Sequence, residues 1–121
     1  MSEQRIVPQS WGRERFLEEN EKYVVKMLEV DPGHRLSLQH HDRMYKTFYC
    51  VYGHATLFFT HAGLDAELSL LPGRYRTIEP DTIYNITSSA TAPCIIMQIS
   101  SYEPNDTRVL GPGRFLNPHD H

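Results

Sequence analysis

Long apolar runs are what this 121-residue chain most clearly lacks. No stretch approaches the roughly 20 apolar residues that span a bilayer, and the opening MSEQRIVPQS has no apolar core of a secretion signal. No membrane partner is expected, and the chain is read as soluble and cytoplasmic. Positive charge is not in excess either: 12 Lys+Arg against 15 Asp+Glu give a formal net charge of -3, which argues against a nucleic-acid partner and makes any cationic site a local one. Cysteine is scarce. Cys50 and Cys94 both lie in apolar runs, without the close spacing of a zinc or redox motif, and read as two reduced core thiols. Trp11 is the only tryptophan and reads as a packing anchor for the N-terminal segment. A convincing amphipathic helix is missing as well.

What remains is β-rich. KYVVKMLEV, residues 22–30, is dense in β-branched side chains and ends at Asp31, Pro32 and Gly33, a turn in which Pro fixes φ and Gly supplies a positive one. Further strands are expected over 35–43, 47–52, 54–60, 66–71, 74–79, 82–87 and 93–101, divided by Gly53, by Ala62 and Gly63, by Pro72 and Gly73, and by Pro80 and Asp81. Short strands between Gly/Pro turns indicate an antiparallel sandwich or barrel in one domain. Residues 1–21 read as an N-terminal arm, because 12–21 carry only Phe16 and Leu17 as apolar residues; on propensity alone 13–20 could form a short surface helix. Residues 22–110 form the barrel. Residues 111–121 read as an irregular, solvated tail that includes His119 and His121.

The most informative stretch is LSLQHHDRMYKTFYCVYG, residues 36–53. As a strand, 35–43 places Ser37, Gln39, His41 and Arg43 on one face and Leu36, Leu38 and His40 on the other. One face is polar and suited to chemistry. The other, if it lies outside the barrel, leaves Leu36 and Leu38 as an apolar stripe that something must cover.

With Pro32 and Gly33 before it and Ala55 after it, the stretch resembles the cupin domain of bacterial mannose-6-phosphate isomerases, often fused to mannose-1-phosphate guanylyltransferases. Their pattern is P-G-x-x-L-S-L-Q-x-H-x-H-R-x-E-H-W-x-V-V-x-G-x-A, and the alignment needs no gap. Trp11 and Gly12 extend the likeness, as do Tyr23 to Lys26 against Y-x-V-K and, more weakly, 77–87 and 98–108. The resemblance implies an all-β, single-domain cupin, an antiparallel jelly-roll β-barrel. It also implies a divalent metal on four positions, which here become His41, Arg43, Lys46 and Tyr84. One ligand survives and two replacements are cations, each worth roughly 4 kcal/mol against a unit charge at about 4 Å, and twice that against a divalent ion. No metal and no other cofactor is therefore expected.

In a cupin, Gln39, His41, Arg43, Lys46 and Tyr84 would line one cavity. Buried cations need partners, so either chain carboxylates such as Glu79 or Asp42 neutralise them or the cavity takes an anion. The leading reading is a cavity for a small anionic sugar ligand, a phosphosugar or a nucleotide sugar. The alternative is an active sugar isomerase or epimerase with His41 as base and Tyr84 as acid, by analogy with cupins that epimerise deoxysugar nucleotides. A third reading is a structural cupin with a closed cavity. Gln39 and His41 also resemble a zinc-ligand pair of a larger class of mannose-6-phosphate isomerases, but His34, His40, His54 and His61 are not at positions that would complete it. Related cupins pair through their outer faces, so a homodimer is expected, with Trp11 and the first strand near the interface.

Overall fold

Period-two alternation reaches further toward the N-terminus than the composition indicates. The computed structural model describes residues 5–111. The segment read as an arm with a loop or short helix instead forms two strands, β1 (Arg5–Gln9) and β2 (Gly12–Glu19), paired antiparallel with each other and, through β2, with β3 (Tyr23–Val30). Charges that look like a solvated run in sequence are cross-strand partners in the sheet. Glu14 bonds Lys26 at 2.7 Å on one face, while on the other Arg13 and Arg15 reach Glu29 at 2.6 and 3.2 Å. Such pairs contribute about 0.2–1 kcal/mol each, whereas a lone helix of that length would be marginal. Trp11 enters the core at the corner with 6% exposure. Beside it Gly12 has φ 147, and a Cβ there would lie 1.9 Å from the Glu29 carbonyl oxygen, so the corner admits glycine alone.

The other strands fall close to the expected runs: β4 (Leu38–His41), β5 (Lys46–Tyr52), β6 (Ala55–His61), β7 (Leu64–Leu70), β8 (Tyr75–Ile78), β9 (Thr82–Ser88) and β10 (Cys94–Ser101). An eleventh, β11 (Thr107–Gly111), was not anticipated. They form a six-stranded sheet in the order β1-β2-β3-β10-β5-β8 and a five-stranded sheet in the order β11-β4-β9-β6-β7. The two antiparallel sheets pack face to face as a jelly roll, as expected. No helix of the described residues is long and apolar enough to cross a membrane. His119 and His121 lie outside the described residues.

One end of the interior is apolar, with Leu28, Val30, Phe48, Leu57, Leu70, Ile86 and Ile96 almost fully buried. Cys50 and Cys94 join them as free thiols, and burial raises both, Cys94 to about 12. At the other end the inward positions turn polar: Lys26 on β3, Lys46 on β5, Gln98 and Ser100 on β10, and Gln39 and His41 on β4.

The central strand is shorter than 35–43, and for two reasons. At its start the Leu36 N–H bonds the Ile86 carbonyl at 2.9 Å and its side chain enters the main core, whereas Leu38 packs with Phe58 and Ile83 in a separate cluster. Leu36 and Leu38 thus do not share a face, and with 2% and 4% exposure they form no exposed stripe. At its end the Asp106 carboxylate accepts the backbone N–H groups of Asp42, Arg43 and Met44 at 3.1, 3.0 and 2.9 Å. That folds the chain away from the sheet after His41.

Candidate functional site

Four of the five residues expected to line the cup meet at one point. Tyr84, on β9 and 1% exposed, places its hydroxyl 2.5 Å from Lys46 Nζ, 2.9 Å from His41 Nε2 and 3.0 Å from Gln39 Oε1. A phenol offers one donor and two acceptor sites. All three are used if Lys46 and His41 Nε2–H donate to the oxygen and the O–H donates to Gln39. In that arrangement His41 Nδ1 accepts the Thr107 hydroxyl at 3.3 Å. The His41 ring also stacks on Tyr84 with centroids 5.7 Å apart.

Burial sets the protonation states. Desolvation, and then the Lys46 charge, push the His41 imidazole down to about 3, so it is neutral in ordinary buffers. Desolvation, and then the neighbouring Lys26 ammonium, hold Lys46 well below the usual lysine range. Desolvation, and then Glu14, raise Tyr84 well above the usual phenol range. The cluster therefore favours uncharged groups that share hydrogen bonds.

Beside it lies a cavity of about 250 Å³, lined by both Lys26 and Lys46 and by Gln98, Ser100, Ser101 and Thr107, with Phe16 and Tyr102 as ring walls and Glu19 and Glu103 at the solvent side. Lys26 was not singled out from the sequence. The available sign is a lysine on the strand face otherwise formed by Val24, Leu28 and Val30, matching the lysine of Y-x-V-K. Its ammonium bonds Glu14 at 2.7 Å and lies 5.1 Å above the Phe16 ring. Only Lys46 of the expected set lines this cavity; Gln39, His41 and Tyr84 stand behind it.

Arg43 is not brought in. The turn held by Asp106 points it outward, where its side chain, 60% exposed, pairs with Glu103 at 3.3 Å. Burial, the largest influence on Asp106, would raise its carboxyl, but the backbone N–H groups of Arg43, Met44 and Asp42 prevail and hold it below its ordinary value. The two carboxylates expected to neutralise the cations lie beside histidines. Glu79 lies near His61 at 3.9 Å, and Asp42 lies near His40 at 3.6 Å. His34 and His54 are exposed loop residues.

The mannose-6-phosphate isomerase C-terminal family matches residues 1–108. The chain belongs to that family. Solved structures add the fold: capsular polysaccharide assembling protein CapF from Staphylococcus aureus has a TM-score of 0.79 at 16% identity, covering 92% of this chain and 35% of its own. Oxalate decarboxylase from Bacillus subtilis has a TM-score of 0.79 at 15% identity, over 88% of this chain and 30% of its own. The Lactobacillus farciminis oxalate decarboxylase, a formate complex, has 0.77 at 18%, over 88% and 33%. The chain thus spans about a third of the length of these structures. Among curated proteins none matches in sequence.

Within the mannose-6-phosphate isomerase C-terminal family, the resemblance implies a divalent ion at the position of this cluster. The residues present do not fit one. Around the Tyr84 oxygen they offer one imidazole nitrogen, one amide oxygen and one phenol, with the Lys46 nitrogen already 2.5 Å away, and among the described residues no carboxylate completes the set. Elsewhere among the described residues, His40, Asp42 and Asp81 bring three ligand atoms within 4.8 Å of one another, but on the solvent side, where the carboxylates serve as partners of the imidazole.

Proposed function

We propose that this member of the mannose-6-phosphate isomerase C-terminal family binds a sugar phosphate in the cavity over Lys26 and Lys46, with the family's metal site given up. The observation that carries the reading is one cavity of about 250 Å³ holding two lysines, hydroxyl and amide side chains and two aromatic walls. A lysine supplies a point charge for a phosphate, hydroxyls and the mouth carboxylates match sugar hydroxyls, and rings suit the apolar faces of a pyranose. The volume lies just below the range usual for ligand sites, which favours a monosaccharide phosphate over a nucleotide sugar.

Lys26 replaces Arg43 as the proposed anion contact, and Lys46 offers its nitrogen to the sugar as a neutral hydrogen-bonding group. A charge-assisted hydrogen bond contributes about 1.5–3 kcal/mol, so Lys26→Met should weaken binding of mannose 6-phosphate or fructose 6-phosphate by about 10- to 150-fold, Lys46→Met, which loses a neutral contact of about 0.5–1.5 kcal/mol, by about 2- to 12-fold, and Arg43→Ala by less than about 3-fold. Calorimetric titration checks this. Loss of affinity on Arg43→Ala with both lysine variants unaffected would refute it. Following sugar interconversion by NMR in the same samples tests the isomerase alternative. In that alternative, His41 and Tyr84 act on the ligand through Lys46, because neither faces the cavity.

A second copy of the chain is the proposed macromolecular partner, and the cytoplasm, where Cys50 and Cys94 stay reduced, the proposed compartment. The supporting surface is the outside of the six-stranded sheet, where Met27, Met97, Tyr49 and Tyr75 stand in one cross-strand row beside Ile99. Tyr49, Tyr75 and Ile99 are 39%, 67% and 42% exposed. Trp11 is committed to the core of its own chain and is not part of this surface.

A further inference from the structure

The cavity holds two lysines in unequal surroundings. Lys26 has a carboxylate partner, Glu14 at 2.7 Å. Lys46 has no carboxylate within ion-pair distance among the described residues; its polar partner is the Tyr84 hydroxyl at 2.5 Å, and its side chain is 4% exposed at the cavity wall. A buried lysine beside another cation, with no anion of its own, is the environment that turns an ammonium into a nucleophilic amine. The titratable groups that act on it are Lys26, Glu14 and Asp106, together with the bonded Tyr84. Burial and Lys26 outweigh the two carboxylates and lower its pKa.

We propose that Lys46 forms an imine with the open-chain carbonyl of a phosphorylated ligand whose anionic group Lys26 holds. The inference rests on the sugar-phosphate reading of the cavity. The Nζ lone pair attacks the carbonyl carbon as the C=O π bond breaks. A proton moves from nitrogen to the new alkoxide, relayed by the Tyr84 hydroxyl, and gives a carbinolamine. Loss of the hydroxyl with a second nitrogen proton, as water, leaves C=N. The aldehyde and the amine thus become an imine and one water, and no oxidant or metal is needed. Gln39 and His41 are positioning residues that hold Tyr84 against the nitrogen.

The chain has only three lysines, Lys22, Lys26 and Lys46, and Lys22 is exposed, so it serves as an internal reference. The full chain is treated at pH 7 with glyceraldehyde 3-phosphate and cyanoborohydride, which reduces an imine to a stable secondary amine, and the adduct is located by peptide mass mapping. Lys46 should be modified at least 10-fold faster than Lys22. That ratio should grow as the pH falls from 9 to 7, since an ordinary lysine loses its amine form tenfold per unit. Lys26→Met should remove the preference for glyceraldehyde 3-phosphate over uncharged glyceraldehyde while Lys46 still reacts. Mapping of the unsubstituted chain decides the matter even if Lys46→Met does not fold. Modification of Lys46 no faster than Lys22 overturns the proposal, even where mannose 6-phosphate binds. Rapid modification by glyceraldehyde with no phosphate preference upholds the amine and refutes the sugar-phosphate reading instead.

Discussion

His41 should make the fold acid-sensitive in a way that one substitution removes. Its imidazole takes a proton only near pH 3 in the folded chain, against 6.5 in an ordinary setting. Between those values the unfolded chain binds more protons than the folded one, so stability is intact above about pH 6.5 and falls as the pH drops toward 3. The slope is about 1.4 kcal/mol per unit, so lowering the pH from 7 to 5 costs about 2 kcal/mol, a sizeable part of a typical 5–15 kcal/mol. For a domain of this size that is about 6–10 °C in Tm. His41→Gln keeps an amide N–H for the Tyr84 oxygen but cannot titrate. Urea unfolding of both proteins at pH 7, 6 and 5 should show the variant gaining about 2 kcal/mol on the parent across the series, whatever its offset at pH 7. The other six histidines are common to both chains and cancel. Stability curves that stay parallel with pH would refute the claim that the imidazole is buried neutral against Tyr84.

Other outcomes follow from the same geometry. Protein purified without added metal should carry far less than one zinc, iron, manganese or nickel per chain by elemental analysis; near-stoichiometric metal lost on His41→Ala would contradict the account of the cluster. Asp106→Ala removes the acceptor of three backbone N–H groups and should cost about 1–3 kcal/mol in denaturant unfolding, with faster amide exchange at 42–44; unchanged exchange there would show that the turn holds without it. Light scattering at micromolar concentration should give a dimer mass for the chain and a monomer mass for Tyr75→Glu, and a monomer for the unsubstituted chain would exclude pairing through the six-stranded sheet.

Much of the molecule is set locally and so can be read from the chain. Turns need Gly, Pro, Asp or Asn at fixed offsets, and strands need period-two alternation, so the barrel from Tyr23 to Ser101, the buried thiols and the pairing of an inward Gln39 and His41 follow from the residues alone. The gap-free likeness from Pro32 to Ala55 adds the family. Tertiary structure decided what depends on partners remote in sequence. Arg13, Glu14 and Arg15 look like a solvated run until Glu29 and Lys26 lie across from them in the sheet. Arg43 follows the parity of its strand only as far as that strand lasts, and Asp106, more than sixty residues on, ends it by taking three backbone N–H groups. Leu36 and Leu38 differ by two positions, yet the pairing with β9 slips by one residue between Arg35 and Gln39, and the two leucines enter different clusters. Which lysine has a carboxylate partner is likewise not written in either residue. It depends on β2 delivering Glu14 to Lys26, whereas Lys46 has no such partner among the described residues, and burial makes that difference count because little water is left to screen it.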